Sequence, residues 1–131
     1  MLTMMRLARE RETLRVVRDQ VGCPTWSRMI AETTAQALLL AGRQDQAAAC
    51  TGVYHLCSSG HTSWHGFAQA IIDLMPADTR KCREVEGISS AEYPTPTKRP
   101  AYSVMSAAKL ERVFGLRLPD WQDSLRQVLE A

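Results

Sequence analysis

Two adjacent cations, Lys98 and Arg99, lie within AEYPTPTKRPAYS at residues 91–103, among three prolines and two tyrosines. Such a pair could hold a diphosphate, the guanidinium as a bidentate fork and the ammonium as a point charge. Proline fixes its own φ, lacks an N–H donor and pushes the residue before it toward extended geometry. Pro94, Pro96 and Pro100 therefore impose a stiff path that neither a helix nor a strand ladder absorbs. A second stiff loop, DQVGCPTW at 19–26, offers the hydrogen-bonding side chains of Gln20 and Thr25 around Gly22 and Pro24. Each loop gives a polar ligand a surface to lie on. The alternative for 92–103 is a packed turn whose cations are merely solvated.

Other chemistry finds less support. His61 and His65 are four apart, a metal-ligand spacing on one helix face. A cap at Thr62 or Ser63 would leave His61 outside that helix, with no cysteine or carboxylate at a supporting interval. Cysteines 23, 50, 57 and 82 form no C-x-x-C pair and read as buried free thiols, not as a zinc module, a redox motif or an activated nucleophile. Ser58 and Ser59 before Gly60 do not make a G-x-S-x-G elbow. The glycines at 22, 42, 52, 60, 66, 87 and 115 are too scattered to cradle a phosphate between a strand and a helix. A Tyr-x-x-x-Lys pair is absent, because Ser58, Thr97 and Ser106 stand four residues after Tyr54, Tyr93 and Tyr102.

The elements that must position the two loops follow from periodicity. A length of 131 residues with 45% apolar and 23% charged residues fits one globular domain with a real core. A net charge of +2 is too small for a nucleic-acid footprint, so any anion must be met locally. No apolar run spans a bilayer and no cleavable signal is evident, so neither a membrane nor a nucleic acid is an expected partner, and the cytoplasm is the expected compartment.

Residues 2–12 read as a helix with no approach segment, which suggests missing upstream sequence, and LRVV at 14–17 as a strand. Thr25 or Ser27 caps a helix to about Leu40, lined by Ile30, Thr34, Ala37, Leu38 and Ala41 and stopped by Gly42 in the left-handed region, with a polar loop after it. GVYHLC at 52–57 reads as a buried strand. A helix behind Thr62 or Ser63 carries Trp64, Phe67, Ala68, Ile71, Ile72 and Met75 on one side and closes at Pro76. KCREVEGI at 81–88 alternates as a strand. Ser106 caps a helix through Phe114 that Gly115 terminates, and Asp120 and Asp123 open a last one. The order suggests an α/β or α+β arrangement of short strands with four to five helices. A strand like GVYHLC needs cover on both faces and pairing on both edges, which implies a partner sheet.

DQVGCPTW, GVYHLCSSGHTSWHGFAQAI, AEYPTPTKRPAYSVMSAAKLERVFGLRLPDWQDSLRQVL and the opening TMMRLARERETLRVVRDQ together resemble the C-terminal half of dTDP-4-dehydrorhamnose reductases, members of the extended short-chain dehydrogenases. The resemblance spans nearly the whole chain, and its D-Q-x-G-x-P-T and Y-P-T-P-x-x-R-P combinations are specific. It implies the α/β form, in which residues 1–131 make the substrate-binding part. The Rossmann-type half, with the NADPH fingerprint and the Tyr-x-x-x-Lys pair, would lie elsewhere, and LRVV and GVYHLC would extend its sheet.

The implied reaction is reduction of the C4 ketone of dTDP-4-dehydro-L-rhamnose. The implied substrate-binding residues are Gln20, Gly22, Pro24, Thr25, Tyr93, Pro96, Lys98 and Arg99; Thr95, Pro94, Pro100 and Ser103 also match the motifs. Arg28 stands where some relatives have an acidic residue, which argues against a carboxylate-bound magnesium at a dimer contact here; the resemblance implies magnesium for the family and is compatible with a homodimer. Tyr102 replaces a frequent asparagine or histidine. A non-catalytic binding or regulatory module derived from this family is the alternative.

Overall fold

The computed structural model describes residues 1–43 and 50–130. It is a mixed α/β fold whose centre is a parallel pair of strands, β1 (Thr13–Val17) and β4 (Glu84–Ile88), with Leu14 opposite Val85 and Val17 opposite Ile88. Parallel strands need a long crossover. Here the crossover contains β2 (Val21–Gly22), α2 (Ser27–Arg43), β3 (Thr62–Ser63) and α3 (Trp64–Leu74). Helix α3 packs on the strand pair together with α1 (Leu2–Glu10) and α5 (Trp121–Glu130). Ala8, Leu14, Ile71, Ile72, Val85, Trp121 and Leu125 meet in the core between them.

Local chemistry sets the ends of α3. The Ser63 hydroxyl accepts from the Gly66 amide at 3.0 Å, a side-chain N-cap. Met75, the residue before Pro76, turns extended at ψ 136°, as the proline ring demands. Helix α4 (Ala108–Phe114) ends at Gly115, whose φ of 65° lies in the left-handed region. Asp120 opens α5 by accepting from the Gln122 amide at 2.8 Å. Phe67 and Trp121 join α3 to α5 edge to face, with ring centroids 6.0 Å apart. Among the described residues, no helix is long and apolar enough to cross a membrane.

Several sequence expectations are corrected. Residues 52–57 run without a ladder partner among the described residues, and Val53 is 78% exposed. A strand needs a neighbouring edge for its main-chain bonds, and none is offered here. Helix α2 passes through Gly42 to Arg43, so Gly42 does not stop it. The stripe that α2 turns inward is Met29, Thr33, Ala37, Leu40 and Ala41; Ala37 and Ala41 face inward as expected, whereas Ile30, Thr34 and Leu38 are exposed. The polar loop expected after α2 lies largely outside the described residues. Helix α1 stops at Glu10, where Arg11 becomes extended. The turn-like RDQVGCPT contains the short strand β2. Cys57 and Cys82 are buried, but Cys23 and Cys50 are only half-buried.

Beyond β4 the chain is tied back to the loop after β1. The Ser90 amide and hydroxyl both donate to the Asp19 carboxylate, the hydroxyl at 2.6 Å. Next to it, Glu92 accepts from the amide and hydroxyl of Ser89 at 2.8 and 2.9 Å, a capping box on the turn at Ser90–Glu92. The Ser90 hydroxyl and amide hold the Asp19 carboxyl below its ordinary value of 3.8, and the Ser89 amide and hydroxyl hold Glu92 below 4.5.

Truncation of Ile71, which is fully buried, to alanine is expected to lower the unfolding free energy by about 2–5 kcal/mol in chemical denaturation. Acid acts on the Ser89–Ser90 joint. Both carboxyls bind protons less tightly in the folded chain, so the unfolded chain takes them up first as pH falls. The stability these bonds contribute is complete above the ordinary values of 4.5 and 3.8 and is lost as pH drops through the lower folded ones. The thermal midpoint should fall on acidification through that range, with the Ser89 and Ser90 amide resonances moving together; a midpoint that rises would contradict the assignment.

Candidate functional site

The two proline-bearing loops meet. The Val21 amide donates to the Ala101 carbonyl at 2.8 Å, and the Ser103 amide donates to the Val21 carbonyl at 2.9 Å, so that Val21 and Tyr102 form a parallel bridge. On its other edge β2 pairs antiparallel with β3, Val21 opposite Ser63 and Gly22 opposite Thr62. Three distant segments thus become one surface. Glycine at 22 eases this close contact, since a Cβ there would stand 3.0 Å from the Ser103 hydroxyl, which would have to shift.

This surface lines a cleft of about 440 Å³. Gln20, Gly22 and Pro24 line it beside Arg99, Pro100 and Ser103, and Trp64 and Phe67 of α3 complete the lining. The volume suits a ligand of nucleotide size. Arg99 is exposed at the rim and makes no ion pair among the described residues, which leaves its guanidinium available to an anion. Trp64 is 51% exposed and presents an aromatic surface on which a planar base or a sugar face can lie.

Of the residues expected from sequence, Gln20, Gly22, Pro24 and Arg99 converge on the cleft. Thr25, Tyr93, Pro96 and Lys98 do not line it. The Thr25 hydroxyl is engaged elsewhere, donating to the Cys23 carbonyl at 3.0 Å and accepting from the Ser58 amide at 3.1 Å. Tyr93, Pro96 and Lys98 are exposed along the proline segment. Lys98 and Arg99 therefore part company, as neighbours on an extended path point to different sides.

Trp64 was expected in the core stripe, and Thr62 and Ser63 as caps. The structure places all three at the cleft, with Phe67 and Met105. The start of α3 protrudes past the core, so the residues that begin the helix meet the loops instead of the strands. Nothing in the periodicity marks this. The tie between the Trp64 amide and the Gln20 carbonyl, at 3.3 Å, exists only after folding.

The remaining reactive side chains have structural partners. His65 Nε2 lies 2.9 Å from the Val85 carbonyl and so must carry a proton, which pins α3 to β4. Burial pushes the Cys57 thiol up from its ordinary value, and the neighbouring Cys23 thiol adds to the effect, which makes it a poor nucleophile. Arg28 binds Glu32 at 2.8 Å and lies over the Trp26 ring. Among the described residues, no group of three or more His, Cys, Asp or Glu could hold a metal ion.

The family model described as the RmlD substrate binding domain matches residues 1–131. A dTDP-4-dehydrorhamnose reductase of Burkholderia thailandensis is 48% identical over 125 residues, which is 92% of this chain and 42% of that protein. The crystal structure of a dTDP-4-dehydrorhamnose reductase from Clostridium acetobutylicum superposes with a TM-score of 0.83 at 30% identity, over 98% of this chain and 42% of that one. That of the Bacillus anthracis enzyme, in complex with NADP, superposes with a TM-score of 0.81 at 29% identity, over 99% and 42%. The chain thus spans about two-fifths of the length of these relatives. With its two loops closed on one cleft and its whole length matched, the chain belongs to the RmlD substrate binding domain family.

Proposed function

We infer that residues 1–131 are the sugar-nucleotide-binding part of a dTDP-4-dehydrorhamnose reductase, which reduces the C4 ketone of dTDP-4-dehydro-L-rhamnose to dTDP-L-rhamnose. The observation that carries this reading is the convergence of Gln20, Gly22, Pro24 and Arg99 on one cleft from loops about 80 residues apart. Arg99 meets the diphosphate at the rim, Trp64 and Phe67 take the apolar face of base or sugar, and Gln20 supplies a directional hydrogen bond. Prolines in both loops fix the backbone beforehand, so binding has less chain to order.

Hydride for the ketone is the contribution of NADPH in this reaction. Residues 1–131 do not fit that group: Gly52, Gly60 and Gly115, the glycines with positive φ among the described residues, lie in separate turns and form no glycine-rich cradle between a strand and the helix after it. The cofactor and the tyrosine proton donor accordingly belong to a Rossmann-type lobe of short-chain dehydrogenase kind. Two surfaces suit contact with it. Leu38 and Leu39 of α2 are 69% and 63% exposed, and residues 52–57 are extended but unladdered. An added strand would satisfy that backbone, and apolar cover would remove the leucines from water. What this part does is bind and orient the substrate, within the cytoplasm.

Titration calorimetry with dTDP tests the cleft. Arg99→Ala is expected to weaken binding by roughly 1.5 kcal/mol, the low end for a charge-assisted bond, because the guanidinium stays open to solvent; an unchanged dissociation constant would count against the assignment. Residues 1–131 supplied with NADPH and dTDP-4-dehydro-L-rhamnose should not consume the cofactor, whereas the same residues joined to a lobe bearing Tyr-x-x-x-Lys should. Turnover by residues 1–131 alone would overturn the division of labour. Ligand binding without turnover in the joined protein would favour a regulatory module.

A further inference from the structure

The Ser90 side chain links Asp19 to Gln20, with its oxygen 2.6 Å from Asp19 Oδ1 and 3.0 Å from Gln20 Nε2. A hydroxyl has one proton to give. An ionised carboxylate can only accept, and the Ser90 amide also reaches both Asp19 oxygens, at 3.0 and 2.9 Å, so the hydroxyl proton is committed to Asp19. Ser90 Oγ then faces Gln20 with lone pairs alone. The group opposite it must be a donor, which fixes the carboxamide with Nε2 toward Ser90. Gln20 Oε1 is left as an acceptor with no hydrogen bond among the described residues, on a side chain that lines the cleft.

We propose that Asp19 and Ser90 are positioning residues that set the polarity of Gln20, so that this part of the cleft takes a hydrogen-bond donor of the ligand and rejects phosphate oxygens. The donor is a sugar hydroxyl or the imide N–H of a pyrimidine, and the diphosphate is left to Arg99. The inference rests on the sugar-nucleotide reading above and adds which part of the ligand each loop selects. Without the aspartate, the hydroxyl could donate to Gln20 instead and the amide could turn over, presenting NH₂ to the same space. A carboxamide is otherwise indifferent to which end it offers.

The test uses the isotope-labelled chain, titrated with dTDP and with dTDP-L-rhamnose, following the dissociation constants and the Gln20 side-chain Cδ resonance. At saturation the parent Cδ should move downfield as Oε1 accepts a bond. Asp19→Asn keeps an acceptor for the Ser90 amide but gives Ser90 Oγ a donor, and should weaken binding about 3- to 10-fold, the range for one neutral hydrogen bond, as should Gln20→Ala. A merely structural joint would change the melting temperature without moving Cδ on ligand addition. Effects seen with dTDP-L-rhamnose alone would assign the donor to the sugar, and effects seen with both ligands would assign it to the base. Parent binding with a stationary Cδ, or Asp19→Asn binding both ligands as tightly as the parent, would overturn the inference alone. Failure of the parent to bind either ligand would overturn the sugar-nucleotide reading and this inference with it.

Discussion

Two main-chain hydrogen bonds at Val21, one to Ala101 and one from Ser103, hold the site together. Each is worth only about 0.5–1.5 kcal/mol net, yet they decide where two otherwise separate loops lie. They require the backbones to come close, and a glycine at 22 eases it. They also require an edge already held in place, which β3 supplies from the other side. The proline segment has little regular structure of its own and is exposed from 91 to 103, so its position depends on this seam and on the Asp19–Ser90 joint.

The core beneath serves the seam by fixing its anchors. Helix α3 is buried along Ala68, Ile71 and Ile72, and its first turn projects beyond that core to carry Trp64 into the cleft. His65, one residue later, bonds the Val85 carbonyl and stops α3 from sliding along β4. Because β1 and β4 run parallel, the loops that follow them leave from the same end of the pair, which brings Asp19 to Ser90. Topology thus delivers the ligand-facing residues to one end of the molecule, and side-chain bonds fix them there.

Helix α2 shows the opposite balance. Its inward stripe is only half-buried, and Ile30, Leu38 and Leu39 face out. The apolar positions of 29–41 fit two overlapping stripes, so periodicity alone does not say which one meets the core, and of the expected stripe only Ala37 and Ala41 face inward. Residues 52–57 present the same difficulty in extended form. Their composition favours a strand, but a strand is a relation between two chains of backbone, and the described residues offer no partner. Capping signals are mixed. Ser63, Gly115 and Asp120 act through bonds or dihedral angles within a few residues of themselves. Helix α4, however, begins after Ala107 and not at a Ser106 cap, α2 starts at Ser27 itself, and Gly42 lies inside α2.

The sequence by itself determined the elements whose causes are local: β1, α3, β4, α4 and α5, the ends set by Ser63, Gly115 and Asp120, and the stiffness of two proline loops. The motifs also identified the family and six residues of the cleft, Gln20, Gly22, Pro24, Arg99, Pro100 and Ser103. Only the tertiary structure decided that Arg99 and not Lys98 lines the cleft with Gln20, that the Thr25 hydroxyl accepts from the Ser58 amide, and that Trp64 lines the cleft. The physical reason is range. A cap or a proline acts over a turn of chain, whereas the direction of a side chain in an irregular loop follows from bonds to residues some 70 to 80 positions away, and those bonds exist only once the core has formed.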